Sequence, residues 1–78
     1  MLDENNAKVM FGRFIRNGRE NQKLNQTKAA EQIGISQQYY SHIEKGMRNV
    51  DLVLALKICE ALYLNLNDFI KLLQNETQ

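Results

Sequence analysis

Gln37 and Gln38 stand side by side directly after Ser36, in the stretch Q26-TKAAEQIGISQQYYSHIEK-G46. A serine is a good helix-capping residue, so the two amides fall on the first turn of a short helix, at its open end. A carboxamide can donate and accept at once. That pairing matches the adenine edge in the major groove, which offers one acceptor and one donor. Ser41 and His42 follow one turn later on the same side and are the next polar groups such a surface would meet. The alternative reading of a surface glutamine pair is solubility alone.

The charge distribution has a direction as well as a sum. Net charge is +1, which argues weakly for a polyanionic partner. Residues 8–48 hold Lys8, Arg13, Arg16, Arg19, Lys23, Lys28, Lys45 and Arg48 against Glu20, Glu31 and Glu44, a net +5. The segments on either side, 1–7 and 49–78, each carry −2. A basic half beside a mildly acidic one suits a surface turned to phosphate and another turned elsewhere.

Other chemistry has little to work with. His42 is the only histidine and Cys59 the only cysteine, with no partner at metal-ligand spacing and no convergent acid, base and nucleophile. No metal, cofactor, small-molecule ligand or enzymatic activity is expected. A lone cysteine and a polar, acidic N-terminus, MLDENNAK, suggest a reducing cytoplasm rather than secretion. No apolar run approaches the ~20 residues of a membrane span.

The elements that position these groups are helices. Seventy-eight residues leave room for one domain, expected over 1–78. Apolar residues recur at three- and four-residue spacing with little strand-like alternation. A first helix is expected from about Ala7 to Gln22, with Val9, Met10, Phe14 and Ile15 on one side. Asn25 caps the second, whose inner face is Ala29, Ala30 and Ile33. Gly34 permits a left-handed turn and Ile35 plugs the core. Ser36 caps the third, with Tyr40 and Ile43 inward and Gly46 at its end. Asp51 caps a fourth carrying Leu52, Leu54, Ala55, Ile58, Cys59 and Leu62, and Asn65 and Asp68 form a polar cap before a fifth with Leu66, Phe69, Ile70, Leu72 and Leu73.

With these pieces the chain resembles the Cro/C1-type (Xre-like) helix-turn-helix proteins of phage repressors and bacterial regulators. The marks are IRNGRE in the first helix, LNQ at the entry to the second, Ala30 and Gly34, then GISQQYYSHIEKGMRN and the closing LNLNDFI. The resemblance implies an all-α, five-helix, lambda-repressor-like domain with its helix-turn-helix over about 26–45. It also implies a transcriptional regulator whose third helix, about 37–45, enters the major groove of double-stranded DNA. Gln37, Gln38, Ser41 and His42 become the base-contacting candidates. Gln26, Arg16, Lys28, Tyr39, Lys45, Arg48 and Asn49 become backbone contacts, Gln26 also bracing Gln37. Arg13 is a weaker candidate of the same kind. Arg19 and Glu44 match a pair that joins the first helix to the third, so Arg19 is assigned to architecture. Tyr40 falls where the family places a branched aliphatic residue and is read as core.

One such module reads only a few base pairs, so a two-fold homodimer on a pseudo-palindrome is expected. Leu62, Tyr63, Leu64, Leu66, Phe69, Ile70 and Leu73 exceed what one small core needs and are the expected dimer surface. With only Gln74 to Gln78 after Leu73, regulation is expected through concentration, dimerisation or a second protein, a toxin or polymerase among the possibilities. A Cro-like phage protein, a restriction–modification controller and an antitoxin all fit, and a helical adaptor that never touches DNA is the rival class. Departures from the family pattern fall at Gly18, Lys23, Ala29 and Val50. They put loop geometry and stability in question rather than the reading face.

Overall fold

A computed structural model describes residues 3–76, without the side chain of Glu76. Residues 1, 2, 77 and 78 of the expected 1–78 domain lie outside the described residues. Five helices follow in order: α1 (Glu4–Asn21), α2 (Gln26–Ile33), α3 (Gln37–Glu44), α4 (Leu52–Ala61) and α5 (Leu66–Glu76).

Local chemistry sets the starts. Each helix leaves its first N–H groups without an internal partner, and a short polar side chain supplies one. Asn25 Oδ1 accepts from Lys28 N at 2.8 Å, Ser36 Oγ from Tyr39 N at 3.1 Å, and Asp51 Oδ1 from Leu54 N at 2.8 Å. Asn65 Oδ1 takes Asn67 N at 2.9 Å. Helix α1 begins three residues before the expected Ala7, because Asp3 accepts from Asn5 N at 3.1 Å and Glu4 adds a negative charge to the first turn. Apolar spacing could not reveal that polar opening turn.

The turn between α2 and α3 is tight. Gly34 adopts φ 92°, a left-handed conformation that costs an L side chain, and its N–H and that of Ile35 both return to Ala30 O. The chain thus turns within three residues, and α3 packs against both α2 and α1.

The core is Phe11, Ile15, Ala29, Ala30, Ile33, Tyr40, Ile43, Ile58, Leu62 and Phe69. Phe69 of α5 meets Phe11 edge-on at 5.1 Å and tilts against Phe14 at 5.5 Å, which ties the C-terminal helix to α1. Two expectations change here. Leu62 is fully buried and Phe69 nearly so, so both fill the core of the single chain rather than a dimer surface. Val9, expected on one side of α1 with Met10, Phe14 and Ile15, is more exposed than they are, at 38%.

Two glycines of α1 are points of close approach. A Cβ on Gly18 would sit 2.6 Å from Leu64, so the departure at that position makes room for a leucine. A Cβ on Gly12 would fall 2.3 Å from the Glu44 carbonyl oxygen and 2.7 Å from that of Ile43. The end of α3 therefore rests directly on the backbone of α1.

Candidate nucleic-acid interface

Helix α3 exposes its N-terminal end and buries its middle. Gln37 and Gln38 are exposed, Ser41 and His42 are half-buried one turn on, and Tyr40 and Ile43 anchor the opposite side in the core. Helical spacing explains part of this: residues 40 and 43 face inward together, which turns 38, 41 and 42 away, while Gln37, one turn before Tyr40, is exposed as the first residue of the helix.

Behind the exposed end runs a chain of hydrogen bonds. Arg19 of α1 grips Glu44 with two donors, Nε to Oε2 at 2.7 Å and Nη2 to Oε1 at 3.1 Å. Its third donor, Nη1, reaches Leu24 O at 2.9 Å, which fixes the α1–α2 loop. Gln26 Nε2 donates to the same Glu44 Oε1 at 3.1 Å, and Gln37 Nε2 donates to Gln26 Oε1 at 2.9 Å. One continuous path thus joins α1, both ends of α3 and the first residue of α2.

The ion pair is close to dry, with side chains 12% and 4% exposed. Burial alone would raise the Glu44 carboxyl, but the hydrogen bonds from Arg19 and Gln26 outweigh that and hold it below the ordinary range. The Arg19 guanidinium is raised, chiefly by its hydrogen bonds to Glu44. The Tyr40 phenol is pushed far above its usual value, first by burial and then by the Glu44 charge. Its hydroxyl lies near that carboxylate but finds no hydrogen-bond partner among the described residues.

The basic candidates are less uniform. Lys45, Arg48 and Asn49 are exposed just beyond α3. The Arg48 guanidinium lies 5.5 Å from the ring centre of Tyr39, which is half-buried against the core rather than facing freely outward. Arg16 is exposed but engaged with Glu20 at 3.4 Å, and Lys28 with Glu31 at 3.7 Å, so both enter any phosphate contact already partly neutralised.

The residues expected at a dimer surface divide. Leu62 and Phe69 belong to the core; Leu64, Leu66 and Leu73 are half-buried against it; Tyr63 and Ile70 are exposed. Of a second exposed apolar face, only Tyr63 was anticipated. Leu52, Val53 and Leu56 stand on the outer side of α4, and Tyr63, 83% exposed, follows its end. Helix α4 is apolar almost all round, so spacing alone could not say which side is covered.

Among the described residues no group of three or more His, Cys, Asp or Glu is arranged to hold a metal ion, and no helix is long and apolar enough to cross a membrane. Cys59 is buried, and burial raises its thiol.

Two short helices joined by a left-handed glycine, the second exposing its N-terminal amides, define a helix-turn-helix DNA-binding domain. The family model described as helix-turn-helix matches residues 15–69. Control protein C.MunI from Mycoplasma sp is 37% identical over 73 residues, 92% of this chain and 99% of that protein. Among solved structures, the restriction-modification controller protein C.AhdI from Aeromonas hydrophila superposes with a TM-score of 0.79 at 32% identity, covering 87% of this chain and 99% of that one. The clp gene regulator ClgR from C. glutamicum superposes with a TM-score of 0.78 at 25% identity over 81% of each chain. The chain belongs to the helix-turn-helix family of DNA-binding transcriptional regulators of the Cro/C1 type.

Proposed function

We propose that this chain reads an operator half-site through Gln37 and Gln38, binds a pseudo-palindrome as a two-fold homodimer, and serves as a restriction–modification controller. The observation that carries the reading is the exposed amide pair at the open end of α3, with Gln37 held by Gln26. Ser41 and His42, half-buried behind them, meet DNA only at the flank of that contact. Lys45, Arg48 and Asn49 grip the backbone beyond the helix, and Gln26, Arg16 and Lys28 that on the near side, with Tyr39 acting through Arg48. The controller role rests on C.AhdI, described as a restriction-modification controller, and on C.MunI, described as a control protein, both matched over nearly their whole length.

The dimer contact is the outer face of α4, Leu52, Val53 and Leu56, continued by Tyr63. Small domains leave little apolar surface uncovered without reason, and this face is a compact stripe of large side chains. A second copy across a two-fold axis places two recognition helices roughly 34–36 Å apart, one turn of duplex.

Selection of bound sequences from a random DNA pool tests the reading. The wild-type chain enriches a symmetric pair of half-sites. The Gln37→Ala/Gln38→Ala chain binds with a flattened motif, each bidentate amide contact being worth about 1–3 kcal/mol of discrimination. An unchanged motif in that variant would refute base reading by these amides. Light scattering at micromolar concentration tests the dimer: the wild type has dimer mass and Leu56→Lys monomer mass. A gene for a toxin rather than an endonuclease or methylase beside this one would count against the controller role.

A further inference from the structure

The Arg19–Glu44 pair does more than join helices. The geometry points to Glu44 as the residue that sets the polarity of the Gln37 amide, and so decides which purine it accepts. This rests on the reading of Gln37 as a base-contacting residue.

An ionised carboxylate can only accept hydrogen bonds. Glu44 is kept ionised by Arg19, and its Oε1 is where Gln26 arrives at 3.1 Å. Gln26 must therefore turn its NH2 inward, because the flipped amide would set a carbonyl oxygen against the carboxylate. Its own carbonyl then faces outward, where it can only accept. Gln37 answers by donating from Nε2 at 2.9 Å. A charge buried at the end of α3 thus fixes, through two amides, the orientation of a side chain at the exposed start of the same helix.

The consequence is a hydrogen-bond pattern at the surface. With one Nε2 hydrogen committed to Gln26, Gln37 retains its carbonyl oxygen and its other N–H, an acceptor beside a donor. That pair matches adenine, whose N6 amino group donates and whose N7 accepts. Were the polarity reversed, the Gln37 oxygen would face Gln26 and its NH2 would be left outward with two donors. That arrangement suits guanine, whose O6 and N7 both accept. Glu44 and Arg19 are on this account positioning residues for specificity, although neither is placed to touch a base.

The experiment measures equilibrium binding to duplexes that carry each of the four bases, in turn, at every half-site position. Gln37→Ala first locates the position read by Gln37, as the one whose preference it flattens. In the wild type, guanine for adenine there lowers affinity by roughly 5- to 150-fold. Two variants then release the polarity. Glu44→Gln lets Gln26 flip, and Gln26→Met removes the relay while leaving the buried ion pair intact, so it serves even where Glu44→Gln does not fold. In each, the adenine-over-guanine ratio at that position falls to within about twofold, while ratios at other positions stay as they were. A merely structural role would weaken all sequences alike and leave the ratio intact. Retention of the full ratio in Gln26→Met, or in folded Glu44→Gln, at a position that Gln37→Ala flattens overturns the relay alone. If Gln37→Ala flattens no position, the base-reading assignment falls as well.

Discussion

Replacing Gly12 by alanine should destabilise the fold, although it substitutes the best helix former for a poor one in mid-helix. The added Cβ would lie 2.3 Å from Glu44 O, 2.8 Å from Glu44 C and 2.7 Å from Ile43 O, against 3.4–4 Å for ordinary contact. The obstacle is backbone, so no rotamer change relieves it, and the two helices must part by about 1 Å, judged from those distances. Better helix propensity contributes about 1 kcal/mol in favour. Overpacking costs about 1–3 kcal/mol. The displaced residue is Glu44 itself, so the buried pair with Arg19 loosens, and losing such a pair outright costs about 3–5 kcal/mol. A net loss of about 2–4 kcal/mol is expected, which in a domain this small lowers the melting temperature by at least about 10 °C. Thermal unfolding followed by circular dichroism measures it. Gly34→Ala is the matched control, since it makes the same change to the unfolded chain. There a Cβ meets nothing within 4 Å, and only the φ of +92° is strained, for about 1–2 kcal/mol. Gly12→Ala melting at or above the wild type, or above Gly34→Ala, would show that α3 does not rest on α1 as described.

Lys23 holds φ 58° in the α1–α2 loop, so Lys23→Gly should raise the melting temperature, by up to about 1 kcal/mol of stability once the freer unfolded chain is set against the relieved strain; no rise would mean the loop imposes no strain there. Tyr40→Phe removes a buried hydroxyl that has no hydrogen-bond partner among the described residues, so it should be neutral or stabilising by up to about 1 kcal/mol in denaturant unfolding, and a loss of stability would reveal a hydrogen bond to Glu44. The Glu44 carboxyl is held below its unfolded value, so its contribution is complete above the ordinary carboxylate range and drains away as pH falls through the folded value. Wild-type stability should therefore decline more steeply in acid than that of Glu44→Gln, and parallel pH profiles of unfolding would contradict this. Lys45→Ala and Arg48→Ala should each reduce the slope of log affinity against log salt by about one unit, equally on all sequences.

The helix starts were readable because capping is local chemistry. Asn25, Ser36 and Asp51 are short acceptors at the head of helical patterns, and each caps the helix that follows it. Gly34 was readable for a similar reason, since a left-handed turn there favours glycine. What escaped depends on non-local facts. Lys23 and Tyr63 both take positive φ, at 58° and 57°, where their residue types argue for nothing of the kind. The apolar residues of α4 and α5 outnumber the inward positions, so sequence alone could not tell buried Leu62 and Phe69 from exposed Leu52 and Val53. Gly12 carried only a faint signal, an isolated glycine inside a helical pattern, which tends to mark a close approach. The base-reading candidates came from residue type and from family position together. The path linking them to Glu44 required coordinates.

That path also bears on why a buried ion pair sits in so small a core. Such a pair is weak ground for stability, since two well-packed apolar residues of the same volume often serve as well or better. Here an apolar replacement would leave Gln26 with no charged anchor and Gln37 with two nearly equivalent orientations. Each amide flip exchanges a donor for an acceptor without altering shape, so packing alone cannot choose between them. Only a group of fixed hydrogen-bond character can, and a carboxylate locked by a bidentate guanidinium has no second state to offer. Joint Arg19→Met/Glu44→Leu replacement separates the two roles. Its fold should survive with stability near that of the wild type, while the purine preference at the Gln37 position is lost. Stability and preference falling together, with every sequence weakened alike, would return the pair to architecture alone.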